Sequence, residues 1–223
     1  MAITTAEKPF SQAVAERRAT QSFDGTPIPN EDLKKILQAG LEAPSGYNLQ
    51  PWRFVVVRDP EQRKRLRAAA FNQPKVEEAS AVIVACGDPQ GWKDGDLEEM
   101  LRLAEHINEE TRALIRKNVS GFLGGQPGDG GGAGPDFGVW VNRHTMIAFT
   151  TMMWMAEVLG YDTAPMEGFS EQAVKQTLGI PERVRVVALL AVGRRKGPDK
   201  PYGKRFPMER LISAERWGQG MKL

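Results

Sequence analysis

The chain has 223 residues, 41% hydrophobic and 26% charged, a composition that excludes disordered and fibrous proteins and is enough for one well-buried domain. Thirty Lys and Arg against 28 Asp and Glu leave a net charge of +2, too small to make nucleic acid the expected partner. A single cysteine, Cys86, and two histidines, His106 and His144, exclude an internal disulfide and a Cys/His zinc cluster, so no metal is expected.

The segment Met1 to Phe10 carries Glu7 and Lys8 and no apolar stretch of signal type, which makes the cytoplasm the expected location. A helix-like stretch then ends at Arg17 and Arg18, just before Phe23-Asp24-Gly25. The planar fork of arginine suits a phosphate and its charge suits a helix C-terminus, although a solvated helix end reads the same way. Asn30 to Ala43 has Asn30 as a candidate N-cap, acidic Glu31 and Asp32 in the first turn, and Leu33, Ile36, Leu37 and Gly40 on one face; Pro44 should end it. Next comes a loop from Pro44 to Trp52, in which Ser45, Asn48 and Gln50 lie between two prolines. Short polar groups on a stiff loop can read the edge of a heterocycle, or simply form a polar turn.

Phe54 to Val57, Ala81 to Cys86 and Val184 to Val192 are short apolar or β-branched runs bounded by Pro, Gly or Asp, the pattern of strands buried on both faces. Cys86 falls in one of them and is read as a core thiol. Asn72 and Lys75 precede the second run, where Pro74 interrupts any continuous helix. Leu97 to Ile115 spaces its apolar residues as one amphipathic helix, with Glu98 and Arg102 set to pair. Gly121 to Gly138 is glycine-rich and is expected to be a long loop, either a surface insertion or a lid over a substrate pocket. Its Gly128, Gly130 and Ala133 match a dinucleotide fingerprint only formally, since no strand precedes them and no helix follows.

Thr145 to Ala156 is uncharged and apolar nearly all round, yet at twelve residues it is too short for a membrane span of roughly 20. It reads as a central buried helix. Pro165, Met166, Glu167 and Gly168 form a turn after it, in which glycine lets backbone approach a ligand. Ser170 should cap a short helix that Gly179 and Pro181 stop before the last strand. Irregular alternation of strands and helices suggests a layered α/β or α+β domain without repeats.

Taken together, Arg17-Arg18 before Phe23, the run Ala43-Pro44-Ser45 through Asn48, Gln50, Pro51 and Trp52, Asn72 with Lys75, the Pro165 to Phe169 turn and Lys204-Arg205-Phe206-Pro207 resemble the FMN-dependent nitroreductase family. The match runs in the family's order from residue 10 to residue 212. The resemblance implies an α+β, three-layer fold with a mixed central sheet flanked by helices, one domain over residues 1–223, and a homodimer whose tail, from about residue 194, wraps the partner. It also implies FMN as cofactor, NADH or NADPH as electron donor, and a small-molecule acceptor such as a nitroaromatic or quinone, with neither nucleic acid nor membrane involved. By resemblance Arg17, Arg18, Lys204 and Arg205 hold the FMN phosphate, and Asn72 and Lys75 reach the ribityl chain and pyrimidine edge. Pro44, Ser45, Asn48 and Gln50 belong to the loop that completes the partner's site, while the Pro165 to Gly168 turn brings a backbone N–H near the reactive ring nitrogen. No side chain is expected to act as a covalent catalyst. Ala19 stands where the family usually has serine and Gln21 where it usually has a basic residue. Three outcomes follow: a general reductase, a specialised flavin-fragmenting or dehalogenating enzyme, or a flavin-binding scaffold without turnover.

Overall fold

The computed structural model describes residues 7–124, 137–198 and 200–221. Four strands, β1 (Trp52–Val57), β2 (Ala81–Gly87), β3 (Asp162–Met166) and β4 (Arg185–Gly193), form one sheet in the order β1-β2-β4-β3. All three ladders are antiparallel. The parallel component expected of a mixed sheet is confined to an isolated bridge, Ala19 to Thr163.

Alternation along β2 explains the layering. Every residue of β2 is buried, and neighbours point to opposite faces. Val82, Val84 and Cys86 join Leu66, Val76 and Val174 on one face, beneath α3 (Pro60–Ala69), α4 (Pro74–Glu78) and α8 (Glu171–Leu178). Ile83 and Ala85 join Ile36, Phe149 and Met152 on the other, beneath α2 (Asn30–Leu41) and α7 (Phe137–Val158). The result is an α+β domain of three layers, helices on both sides of the sheet. Cys86 is buried in the first core, and burial pushes its thiol up to about 12, which leaves it protonated and unreactive. Among the described residues no helix is long and apolar enough to cross a membrane.

Several elements differ from the sequence reading, each for a local reason. Asn30 is the first residue of α2 and not its cap, because Pro29 flanks the helix and the Asn30 amide oxygen accepts from Arg58 Nη1 at 2.5 Å. The single helix expected over Leu97 to Ile115 is two, α5 (Leu97–Leu103) and α6 (Glu109–Gly124). Asn108 opens the second, its Oδ1 accepting from the N–H of Thr111 at 2.8 Å, and the Arg112 guanidinium takes up the carbonyls of Leu101, Ala104 and Ile107 at the break. Glu98 therefore pairs with Arg116 across the break at 2.8 Å, and Arg102 pairs with Glu99, in place of the expected Glu98–Arg102 contact. The glycine-rich stretch is narrower than expected, since Gly121 to Gly124 close α6 and Gly138 lies in α7. The insertion-or-lid question and the formal fingerprint at Gly128, Gly130 and Ala133 lie outside the described residues. Ser170 does cap α8, accepting from Ala173 N at 3.3 Å, and Gly179 ends it in the left-handed conformation at φ 67°.

Beyond β4 the chain runs out along the surface to a short helix, α9 (Met208–Leu211). Every described residue from Tyr202 to Ile212 is exposed, and Trp217 is fully so at 102%.

Candidate functional site

Helix α1 (Phe10–Glu16) stops at Arg17, where the backbone turns extended, with φ −52° and ψ 127°. Thr20 N–H then donates to Thr163 O at 3.0 Å, which ties this segment to the β3 edge of the sheet and brings Arg17 and Arg18 with it. Arg18 donates to the carbonyls of Ala15 and Arg17 at 2.8 Å each, satisfying acceptors that the helix end leaves open. Its guanidinium lies 4.4 Å from the centre of the Tyr202 ring, and Arg205 approaches the same ring at 5.6 Å. One tail aromatic thus draws Arg18 and Arg205 together, and neither Tyr202 nor Lys200 had drawn notice in the sequence. Both line a cavity of about 490 Å³ with the cations Lys8, Arg17, Arg18 and Arg195 and the carboxylates Glu16, Glu157 and Asp162.

This cavity fits a phosphate. Arg17 Nη1 is buried with no hydrogen-bond partner among the described residues, a donor awaiting an acceptor. Lys75, half-buried in α4, has its ammonium pushed below the usual lysine range, first by burial and then by repulsion from Lys200. Lys204 is exposed, and its described contact here is a carbonyl that accepts from Arg205 Nη1 at 2.7 Å. Ala19 contributes its backbone to the bridge with Thr163. The exposed Gln21 donates its amide to Ala19 O at 3.0 Å and borders a small cleft shared with Lys200.

The second group of candidates lies about the turn after β3, at the same edge of the sheet. Helix α3 ends at Ala69, Phe71 and Asn72 just beyond it both adopt the left-handed region at φ 52° and 56°, and Pro74 then starts α4 afresh. The turn after β3 docks onto this corner, with Ser170 N–H donating to Ala69 O at 2.9 Å and Gln73 Nε2 donating to Gly168 O at 2.7 Å. Gln73 thereby ties the stretch that carries Asn72 and Lys75 to the turn at Gly168. Pro165 and Met166 are strand residues rather than turn residues, paired with Leu190 and Leu189. With Glu167, Met146, Phe149 and Ala188 they line a groove of about 340 Å³.

Pro44, Ser45, Asn48 and Gln50 are not part of this assembly within one chain. They precede β1, at the edge of the sheet opposite β3, roughly 14 Å away across three strand spacings. Ser45 Oγ accepts from Gln50 N–H at 2.9 Å, and Tyr47, Asn48 and Gln50 all have positive φ, a strained loop of the kind found at binding sites. Asn48 and Gln50 open onto their own cavity of about 520 Å³, with Leu37, Trp52 and Met100 in its walls.

Comparison with known proteins gives this geometry a context. A sequence profile of the Nitroreductase family matches residues 14–194. A Thermus thermophilus protein named "NADH dehydrogenase" is 32% identical over 90% of this chain and 93% of its own length. A Bacillus subtilis protein named "Putative NAD(P)H nitroreductase MhqN" is 32% identical over 91% of this chain and 97% of its own. The crystal structure of a "putative nitroreductase in complex with FMN" from Exiguobacterium sibiricum superposes with a TM-score of 0.83 at 26% identity, covering 95% of this chain and all of the other.

Proposed function

The chain belongs to the nitroreductase family, and from that membership we propose that it is an FMN-dependent NAD(P)H oxidoreductase whose acceptor is a small molecule such as a nitroaromatic or quinone. Bound FMN supplies the two-electron chemistry between the nicotinamide and the acceptor. The residues of the chain bind it, orient it and set its electrostatic surroundings. Arg17, Arg18 and Arg205, with Lys204 and Lys200 near them, hold the phosphate. Asn72 and Lys75 face the ribityl chain and the pyrimidine edge, where the Lys75 cation favours negative charge on the reduced ring. The turn at Glu167 and Gly168 offers backbone N–H groups to the ring.

The observation that carries this reading is the buried, unpartnered Nη1 of Arg17 in a cavity that the tail completes with Lys200 and Tyr202. Glu16, Glu157 and Asp162 in the same wall keep the pocket from being uniformly cationic, which favours one well-placed anion over loose polyanion binding. Ala19 and Gln21 withhold two polar contacts from the phosphate end, and the several cations remaining there carry the binding. A homodimer completes the proposal. The Pro44 to Gln50 loop, too far from Arg17 to act in its own chain, reaches the partner's site, and the exposed tail covers the partner.

The purified protein should be yellow, with close to one FMN per chain, and its flavin absorbance should bleach on anaerobic addition of NADH or NADPH and return with a quinone. Bound flavin that no nicotinamide bleaches would leave a binding scaffold, and a colourless protein that takes up no added FMN would overturn the assignment.

A further inference from the structure

Of the described residues that line the cavity proposed for the phosphate, Glu157 alone is buried, so a carboxyl is walled into an anion site. Its place is fixed from two sides. It stands in the last turn of α7, whose final carbonyl, that of Val158, accepts from Lys8 N–H at 2.8 Å, and its Oε1 accepts from the Thr163 hydroxyl on β3 at 2.6 Å. Among the described residues no hydrogen bond reaches its Oε2, and Arg17, in the same cavity wall, has its buried Nη1 without a partner. Burial and then Asp162 favour the acid, whereas Thr163, Arg17 and Lys8 favour the carboxylate, which leaves this carboxyl at about 7. Glu16, Arg18, Arg195, Lys200 and Tyr202 are the other charged or titratable groups around the cavity. Near neutral pH the empty cavity therefore holds Glu157 as a carboxylate about half of the time, an anion already within the attraction of Arg17. A phosphate dianion brought to the same wall meets that charge, and a like charge nearby disfavours the ionised form of a carboxyl.

We propose that Glu157 is the exchangeable counter-ion of this cavity: in the empty protein its carboxylate balances Arg17, and when a phosphate monoester binds, Glu157 takes up a proton and yields Arg17 to the phosphate. The identity of the natural ligand, FMN, rests on the functional reading above, while the exchange itself needs only a phosphate monoester. No covalent bond between heavy atoms forms or breaks. One proton moves from solvent to Oε2, since Oε1 is held by Thr163. Because binding consumes a proton, affinity for the phosphate falls as pH rises past about 7, above the second ionisation of the phosphate itself at about 6.

The test is calorimetric titration of the flavin-free full chain, parent and Glu157→Gln, with FMN, with riboflavin and with phenyl phosphate, each in two buffers of unlike ionisation enthalpy so that protons taken up are counted. If bound phosphate moves the carboxyl by about one pKa unit, the parent should take up about half a proton more per FMN than Glu157→Gln at about pH 7.5. Its affinity for FMN should also fall about fivefold more than the variant's between about pH 7 and pH 9. Other groups, Lys75 among them, contribute alike to both proteins, so the difference between the two is the signal. Riboflavin, the same ring without the phosphate, should show no such difference. In the parent, the infrared carbonyl band of a protonated carboxyl should grow as FMN binds, a readout that needs no variant to fold. Equal proton uptake in parent and Glu157→Gln, the same difference with riboflavin, or no growth of that band would overturn the proposal. A parent that refuses FMN yet takes phenyl phosphate with the extra proton would sink the functional reading and leave the exchange standing. A parent that takes neither would overturn both.

Discussion

Glu157 is 5% exposed and lies in the wall of a cavity lined by five cations and three carboxylates, itself among them. Burial raises its carboxyl from an ordinary 4.5 to about 7, helped by Asp162, while the Thr163 hydroxyl at 2.6 Å, Arg17 and Lys8 pull the other way. The folded protein therefore keeps a proton on Glu157 that the unfolded chain has lost. Stability from this group is complete below about 4.5 and falls as pH rises to about 7, by up to roughly 3 kcal/mol. In Glu157→Gln, measured by urea unfolding of the flavin-free protein, the difference from the parent should grow in the variant's favour across that window and level off above it. A difference that stays flat with pH would mean that Glu157 is already ionised in the fold. Residues of this kind were invisible in the sequence. Glu157, Gln73, Lys200 and Tyr202 carry no motif, and what distinguishes them is burial or a partner from 6 to nearly 200 positions away. Arg17, Lys75 and the Glu167-Gly168 turn could be proposed from the sequence because each belongs to a run whose order resembles that of a family.

At the scale of elements, strands were readable where both faces are apolar, as in β2 and β4, and unreadable in β3, whose Asp162-Thr163-Ala164-Pro165-Met166 has the composition of a turn. Pro165 is tolerated because β3 is an edge strand. Helix α2 shows the reverse case, a local propensity overruled by packing. Gly40 lies on its buried face, and a Cβ there would stand 2.5 Å from Met152 Cγ and 2.9 Å from its sulfur. Alanine at that position gains about 1 kcal/mol of helix propensity but overpacks the α2–α7 contact, which typically costs 1 to 3 kcal/mol. Gly40→Ala should thus be neutral to about 2 kcal/mol destabilising in thermal unfolding. A gain near 1 kcal/mol would mean that α7 yields freely, and that the closeness of the two helices matters little.

The whole molecule presents two unlike surfaces. One edge of the sheet carries the cationic cavity beside β3, and the other carries the strained Pro44 to Gln50 loop before β1, with strands β2 and β4 between them. In the proposed dimer each site takes its cations from one chain and its loop from the other. That division has a genetic consequence. A chain disabled at Arg17 and a chain disabled at Ser45 and Asn48 should each be inactive alone, yet a mixed dimer contains one site built from the sound half of each. When the two are co-expressed and pair at random, about one quarter of all sites should be whole. Sorting by two different affinity tags should place the recovered flavin and reductase activity in the mixed species alone. If the mixed species stays dead, each chain builds its site by itself. If it recovers, two loss-of-function alleles of this gene complement one another, and a cell carrying both would pass for one carrying a weak but working copy.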